Sequence, residues 1–248
     1  MKIIAFSDPH GILPKIEESF DLMLVGGDIV GLREQSSMLY SKGWFQEVFV
    51  PWVNSLPFKE VYSKVIFIAG NHDALLENEG KDSPWLYSDV IRQCNGRLIY
   101  LENESYTFEY IENEEVKSIT IFGTPYCKVF GRWSFMQRDD ELRKTFSEIP
   151  ENIDILLTHD APYGTSDLCY GWHAWGRTPY HIGNESLRDA IIEKKPKINL
   201  HGHLHSANHN AELLEETQVI NISLVDESYD PIYTPLIFEW PVTELLHN

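Results

Sequence analysis

Eight side chains in this sequence have the types and spacing to gather divalent cations or to serve a reaction beside them: Asp8, His10, Asp28, Asn71, His72, His159, His203 and His205. They fall in five polar stretches, "SDPHG" at 7–11, "GGDIV" at 26–30, "GNHD" at 70–73, "LTHDAP" at 157–162 and "HGHLH" at 201–205, each of which follows an apolar run. A single "GNHD" is ordinary turn chemistry. Five apolar runs that stop in the same way are not. The donors are carboxylate, carboxamide and imidazole, with no thiolate, a set that suits Mn, Fe or Zn better than Mg. Without His72 there are still more donors than one tetrahedral zinc takes, and two divalent metal ions sharing a bridging carboxylate would use them. Asp8 with His10, and His203 with His205, are each two apart, so on an extended segment each pair points the same way. Two such ions close together would reverse the local field for a small anionic substrate and acidify a shared water.

The elements that must position these residues read as buried strands. Residues 2–6, 22–25, 65–69, 153–157 and 198–200 are short, apolar and rich in Ile, Val and Leu, which fits strands covered on both faces of a sheet. Helical patterns lie between them. Phe45, Val48, Phe49, Trp52, Val53 and Leu56 recur at helical spacing, with Pro51 expected to kink or split that helix. After Asn184, an N-cap by type, Leu187 and Ile191 share a face before "KKP" ends the pattern. Later, 106–111 and 116–122 read as strands joined by an acidic turn, and "QVINIS" and "PLIFEW" add two more. Strands alternating with helices and then strands alone predict an α/β fold with two sheets. In open α/β sheets ligands bind beyond the carboxyl ends of the strands, where the five polar stretches sit. At 248 residues, with no repeat or linker-like tract, residues 1–248 read as one domain.

The formal charge of −18 repels polyanions, which argues against a nucleic-acid polymer as partner. The four apolar residues before Ser7 are too few for a signal-peptide core, and no run approaches a membrane span, so the expectation is a soluble, cytoplasmic protein without a membrane partner. Cys94, Cys127 and Cys169 form no CxxC pair and read as packing residues. His201 reads as structural, and His209, His247 and the acidic stretches 112–115 and 212–216 as solvated surface.

The ordered set DxH, GGD, GNHD, TH and GHxH resembles the calcineurin-like metallophosphoesterase superfamily. The longer stretches "PWVNSLPFKEVYSKVIFIAGNHD", "ITIFGTPYCKVFGRW", "ENIDILLTHDAPYG" and "KPKINLHGHLH" are similar to the metallophosphoesterase-domain proteins related to class III cyclic-nucleotide phosphodiesterases. The resemblance implies a four-layer αββα sandwich of two mixed sheets. Two metal ions would sit between the sheets, one on Asp8, His10 and His205, the other on Asn71, His159 and His203, with Asp28 bridging and His72 free of metal. It further implies hydrolysis of a small phosphodiester, a cyclic nucleotide among the candidates, by attack of a metal-bridging hydroxide with His72 assisting the leaving group. The protein phosphatases of the superfamily carry GDxxDRG where this chain has "GDIVGLR", which argues against that branch.

Two other readings stay open. A phosphomonoesterase or pyrophosphatase would use the same metals, and some relatives keep the fold as a non-catalytic interaction scaffold. Specificity must come from outside the metal ligands. The segment 163–186, with Trp172, His173, Arg177 and His181, could stack a base and meet a phosphate, and His181, Arg177 and Trp172 are the substrate-binding candidates.

Overall fold

The computed structural model describes residues 1–173 and 176–242, and the side chains of 171–177 lie outside the described set. In the first sheet, β1 (Lys2–Phe6), β2 (Leu22–Val25), β3 (Lys64–Phe67) and β4 (Leu98–Tyr100) run parallel, and β15 (Leu236–Glu239) lies antiparallel on the free edge of β1. The second sheet has the order β13 (Glu212–Leu214), β14 (Thr217–Asn221), β12 (Ile198–His201), β9 (Ile155–Thr158), β6 (Glu115–Thr124) and β5 (Glu104–Glu112). Its four central strands are parallel, and an antiparallel hairpin closes each side. Two small pairs stand apart, β7 (Cys127–Lys128) with β8 (Met136–Gln137) and β10 (Leu168–His173) with β11 (Gly176–His181).

Alternation along each strand builds the layers. In β1, Ile3 and Ala5 face the second sheet and meet Ile121, Ile155, Leu157 and Leu200. Ile4 and Phe6 face the other way, onto Phe45, Phe49 and Val53 of a helical stretch. Both faces are apolar because both are covered, which is why these strands read as continuous runs rather than alternating ones. The outer face of the second sheet, Phe122, Leu156 and Val219, packs on Leu142, Phe146, Leu187 and Ile191 from two helices. Each fully buried side chain of this size contributes about 1.5–3 kcal/mol. The result is the αββα sandwich.

The helix around Pro51 is split into three consecutive segments and stays packed on the core through Phe45, Phe49, Val50 and Val53. It runs as α1 (Met38–Trp44), a π-turn (Phe45–Phe49) and α2 (Val50–Ser55). The wider π-turn precedes the residue that lacks an N–H, so the missing hydrogen bond falls at the start of α2 and not within a regular ladder. A short α3 (Ala74–Glu79) follows the "GNHD" turn, and α4 (Asp139–Ser147) and α5 (Glu185–Lys194) cover the second sheet. Asn184 caps α5, its side chain accepting the Leu187 N–H, and Lys195 in left-handed conformation ends it. No helix among the described residues is long and apolar enough to cross a membrane. Cys94 and Cys127 are buried, and burial pushes the Cys94 thiol up to about 12 and the half-buried Cys169 thiol up to about 11, consistent with packing rather than nucleophilic roles.

Candidate metal centre

Because β1, β2 and β3 are parallel, the turns after them meet at one edge, and those after β9 and β12 meet them from the other sheet. The meeting is laced by backbone hydrogen bonds. The Asp8 N–H donates to Gly27 O (3.0 Å), His10 N–H to Asp28 O (3.0 Å) and Gly202 N–H to His159 O (3.2 Å). A bridge between Ser7 and Ser223 ties the sheets directly, with Ser7 N–H donating to Ile222 O (2.7 Å) and Leu224 N–H to Ser7 O (2.9 Å). Four candidate donors have left-handed backbone, Asp8 (φ 54), His10 (φ 41), Asp28 (φ 51) and His203 (φ 68). L-residues adopt that region at a cost of about 1–3 kcal/mol each, and such costs collect at functional sites. Gly70 and Gly202 explain how the groups come so close. A Cβ at Gly70 would lie 2.3 Å from Asp28 Oδ1 and 2.5 Å from His159 Cε1, and one at Gly202 2.2 Å from Asp8 Oδ2.

The side chains converge as two adjoining groups. Asp8, His10 and His205 place one ligand atom each within 4.8 Å of one another, as do Asp8, Asp28 and His159. His10 Nε2 is 3.3 Å from His205 Nε2 and 3.8 Å from Asp28 Oδ2, while Asp28 Oδ1 is 3.5 Å from His159 Nε2. Asn71 Oδ1 lies 2.9 Å from His159 Nε2, and the His203 ring is 5.1 Å from that of His159. His159 Nδ1–H donates to Gly26 O (2.9 Å) and His205 Nδ1–H to Asp226 O (3.1 Å). Each ring thereby turns Nε2 toward the cluster, the orientation that backbone carbonyls impose on metal-ligating histidines. Asp8 accepts the Ser223 hydroxyl (2.7 Å) and the His203 N–H. The buried His10 Nδ1 has no hydrogen-bond partner among the described residues.

This donor set fits divalent cations. Two imidazole nitrogens at 3.3 Å, and a carboxamide oxygen 2.9 Å from a third, put lone pairs face to face unless a proton or a cation lies between them. The electrostatics agree. Burial pulls the His159 imidazole down, yet the Asp28 carboxylate beside it outweighs burial and leaves it pushed up to about 10. Burial likewise lowers His205, but the Asp8 carboxylate raises it overall. Desolvation would raise Asp8 and Asp28, but the surrounding histidines hold both carboxyls well below the usual range. His10, with desolvation dominant, falls to about 4. Buried anions that hold protons on neighbouring histidines are the environment a cation replaces.

His72 stands at the edge of the group. Its Nδ1–H donates to Gln35 Oε1 (2.7 Å), its Nε2 lies 4.0 Å from Asp28 Oδ2, and its ring is 4.5 Å from that of Trp133. Gln35 orients it. Asp73 accepts the N–H groups of Ile29, Val30 and Gly70 and so holds two turns together. Asp160 accepts the Lys128 N–H and the Asn184 amide. Gln35 is 37 residues from His72 in a short 3-10 turn (Glu34–Ser36), and nothing local in the sequence marks it. Asp226 and Tyr229 were legible in principle. They follow β14 as the five motifs follow their strands, and the Tyr229 ring stands edge-on to His10 (4.8 Å) and His205 (5.4 Å).

A cavity of about 650 Å3 opens over the cluster, lined by Asp28, His72, His203 and His205, by Phe130 and Trp133, and by Lys128. His181 does not line it. Its Nδ1–H donates to the buried Asp167 (2.5 Å), although the flanking Tyr180 and Ile182 do line the cavity. Trp172 and Arg177 pair across the β10–β11 hairpin, but their side chains, like that of His173, lie outside the described residues. His201 is buried, its Nδ1–H donating to Gly202 O, and desolvation lowers it to about 4. His209 is not solvated surface. It stacks on Tyr233 at 3.6 Å and donates to His205 O (2.9 Å), so it backs a candidate ligand. In the acidic stretch 212–216, Glu212 likewise has a structural task, accepting the Ser166 N–H.

The model of the calcineurin-like phosphoesterase family matches residues 1–207. A UPF0046 protein of Caenorhabditis elegans is 27% identical over 98% of this chain and 82% of its own length. The human metallophosphoesterase domain-containing protein 1 is 25% identical over 97% of this chain and 71% of its own. Among solved structures, the protein TT1561 of Thermus thermophilus superposes with a TM-score of 0.51 at 12% identity, covering 89% of this chain and 88% of that one, a likeness of fold.

Proposed function

Because the chain belongs to the calcineurin-like phosphoesterase family, and so to metal-dependent phosphoester hydrolases, we propose that it uses two divalent ions to hydrolyse a small phosphodiester, a cyclic nucleotide among the candidates. The observation that carries the reading is the position of Asp28, whose two carboxylate oxygens face different histidines, His159 (3.5 Å) and His10 (3.8 Å). That is where a bridging ligand belongs. Asp8 also reaches both groups, but its carboxylate accepts the Ser223 hydroxyl and the His203 N–H, whereas Asp28 accepts the His72 N–H at Oδ1 (2.7 Å) and keeps Oδ2 open, so Asp8 suits a ligand of one ion better. On this reading Asp8, His10 and His205 hold one ion, Asn71, His159 and His203 the other, and Mn, Fe or Zn match the donors. The bound pair would neutralise phosphoryl oxygens and lower the pKa of a water to near 7.

His72 serves the other end of the scissile bond. Gln35 fixes its Nδ1–H, so Nε2, the atom nearer Asp28, takes up and releases the proton delivered to the leaving oxygen. Burial lowers His72, with Asp28 opposing, and an anionic phosphoryl group beside it raises it again. The reading takes a small phosphoester as substrate in the cytoplasm and treats 1–248 as one domain, which the pairing of β15 with β1 supports.

The test is metal analysis of protein reconstituted with Mn, followed by hydrolysis of bis-p-nitrophenyl phosphate against p-nitrophenyl phosphate. Two equivalents of metal and faster diester turnover are expected. Faster monoester turnover would move the assignment to a phosphomonoesterase. Uptake of no more than one ion, or hydrolysis of neither ester, would overturn it and leave the scaffold reading.

A further inference from the structure

The cavity over the cluster carries one feature that a metal-assisted ester hydrolysis does not need. Lys128 is the only lysine or arginine lining it among the described residues. Most lysines elsewhere have carboxylate partners, as in Lys42–Glu79, Lys59–Asp21, Lys117–Glu112 and Lys197–Asp154. That is expected of a chain with 38 acids to 20 bases. Lys128 makes no ion pair among the described residues, although Asp28, Asp160 and Glu227 line the same cavity. Its main chain is held firmly. The N–H donates to Asp160 Oδ2 (2.9 Å), one residue after His159, and β7 pairs Lys128 with Gln137. A loose surface lysine has no such anchoring to the turn that holds a candidate ligand.

Charge decides what such a residue would meet. Two divalent ions against the carboxylates of Asp8 and Asp28 already leave the centre positive enough for a singly charged phosphodiester. A further cation at the wall favours a substrate that brings a further anion. The aromatic faces near it, Phe130 beside His203 (5.0 Å) and Trp133 beside His72 (4.5 Å), suit a flat ring on the same molecule. We propose that Lys128 is a specificity-determining residue, and that the preferred substrate is an aromatic, nucleotide-like phosphodiester bearing a second anionic group that its ammonium binds. The proposal rests on the phosphoesterase reading for its substrate, but not for its test.

The test uses the full chain reconstituted with Mn and two probes that differ in one phosphate, thymidine 3′,5′-bisphosphate and thymidine 5′-monophosphate, titrated by calorimetry. The parent should bind the bisphosphate about tenfold more tightly. Lys128→Met, which keeps the aliphatic stem, should erase the preference and leave monophosphate affinity unchanged, and Lys128→Arg should restore it. The 5′-p-nitrophenyl esters of the same two nucleotides should show the difference in KM and not in kcat. Equal affinity of the parent for both probes, or a preference that survives Lys128→Met, overturns the proposal. Binding preference without hydrolysis of any ester keeps Lys128 in its role and overturns the phosphoesterase reading instead.

Discussion

The left-handed backbone occurs in two very different settings, the metal-donor turns and the tip of the β5–β6 hairpin. At the tip, Asn113 (φ 53) and Glu114 (φ 65) are exposed and sit between the paired residues Glu112 and Glu115. Two residues with positive φ make the turn whose twist matches that of its strands, so the conformation follows from local pairing. At the centre, Asp8, His10 and Asp28 are buried, and their φ values are imposed by hydrogen bonds from one turn to the next. The same dihedral angle is a cheap local solution in one place and a tertiary constraint in the other. The difference teaches that the donors are held by the packing of the sheets and not by their own turns.

The sharpest break of that comparison is Asp28→Asn, which keeps a residue that tolerates left-handed backbone and removes only the charge. Elemental analysis should show loss of both ions, and turnover should fall on the order of 10³-fold or more. His72→Ala should leave the metal content at two and lower turnover by about 10²- to 10⁴-fold; equal metal loss in both variants would refute the division of roles. Metal affinity should rise with pH. His159, pushed up to about 10, is protonated at neutral pH and must lose that proton to become a ligand, so binding releases protons. Each proton released gives about a tenfold gain in affinity per pH unit below that value, readable by calorimetry in buffers of different ionisation enthalpy. Asp73→Ala should cost roughly 1–3 kcal/mol of stability by stripping the acceptor from three backbone N–H groups, seen as a lower melting temperature. Glu114→Gly should have the smallest effect, a gain of at most about 1 kcal/mol with metal content and turnover unchanged.

Most of the fold was legible because burial on both faces leaves a plain mark. The runs 2–6 and 22–25 are β1 and β2 as observed, and 65–69, 153–157 and 198–200 differ from β3, β9 and β12 by two residues or fewer at each end. The donors were legible for a related reason, since polar groups after parallel strands must meet. What supports them was not. Gln35 reaches His72 and Ser223 reaches Asp8 across 37 and 215 residues, and such pairings exist only once the sheets have packed. The split expected at Pro51 is there, but its form was not legible. A π-turn absorbs its missing N–H within the helix, and π-turns have no clear sequence signature.

The Ser7–Ser223 bridge joins the two sheets beside the donors, and the donors themselves come from both. Cations held there would work as a rivet through the sandwich: sliding one sheet past the other would have to break coordination first. The amides of β1 and β12 should therefore exchange their hydrogens more slowly together when ions are added, even though the two strands share no ladder.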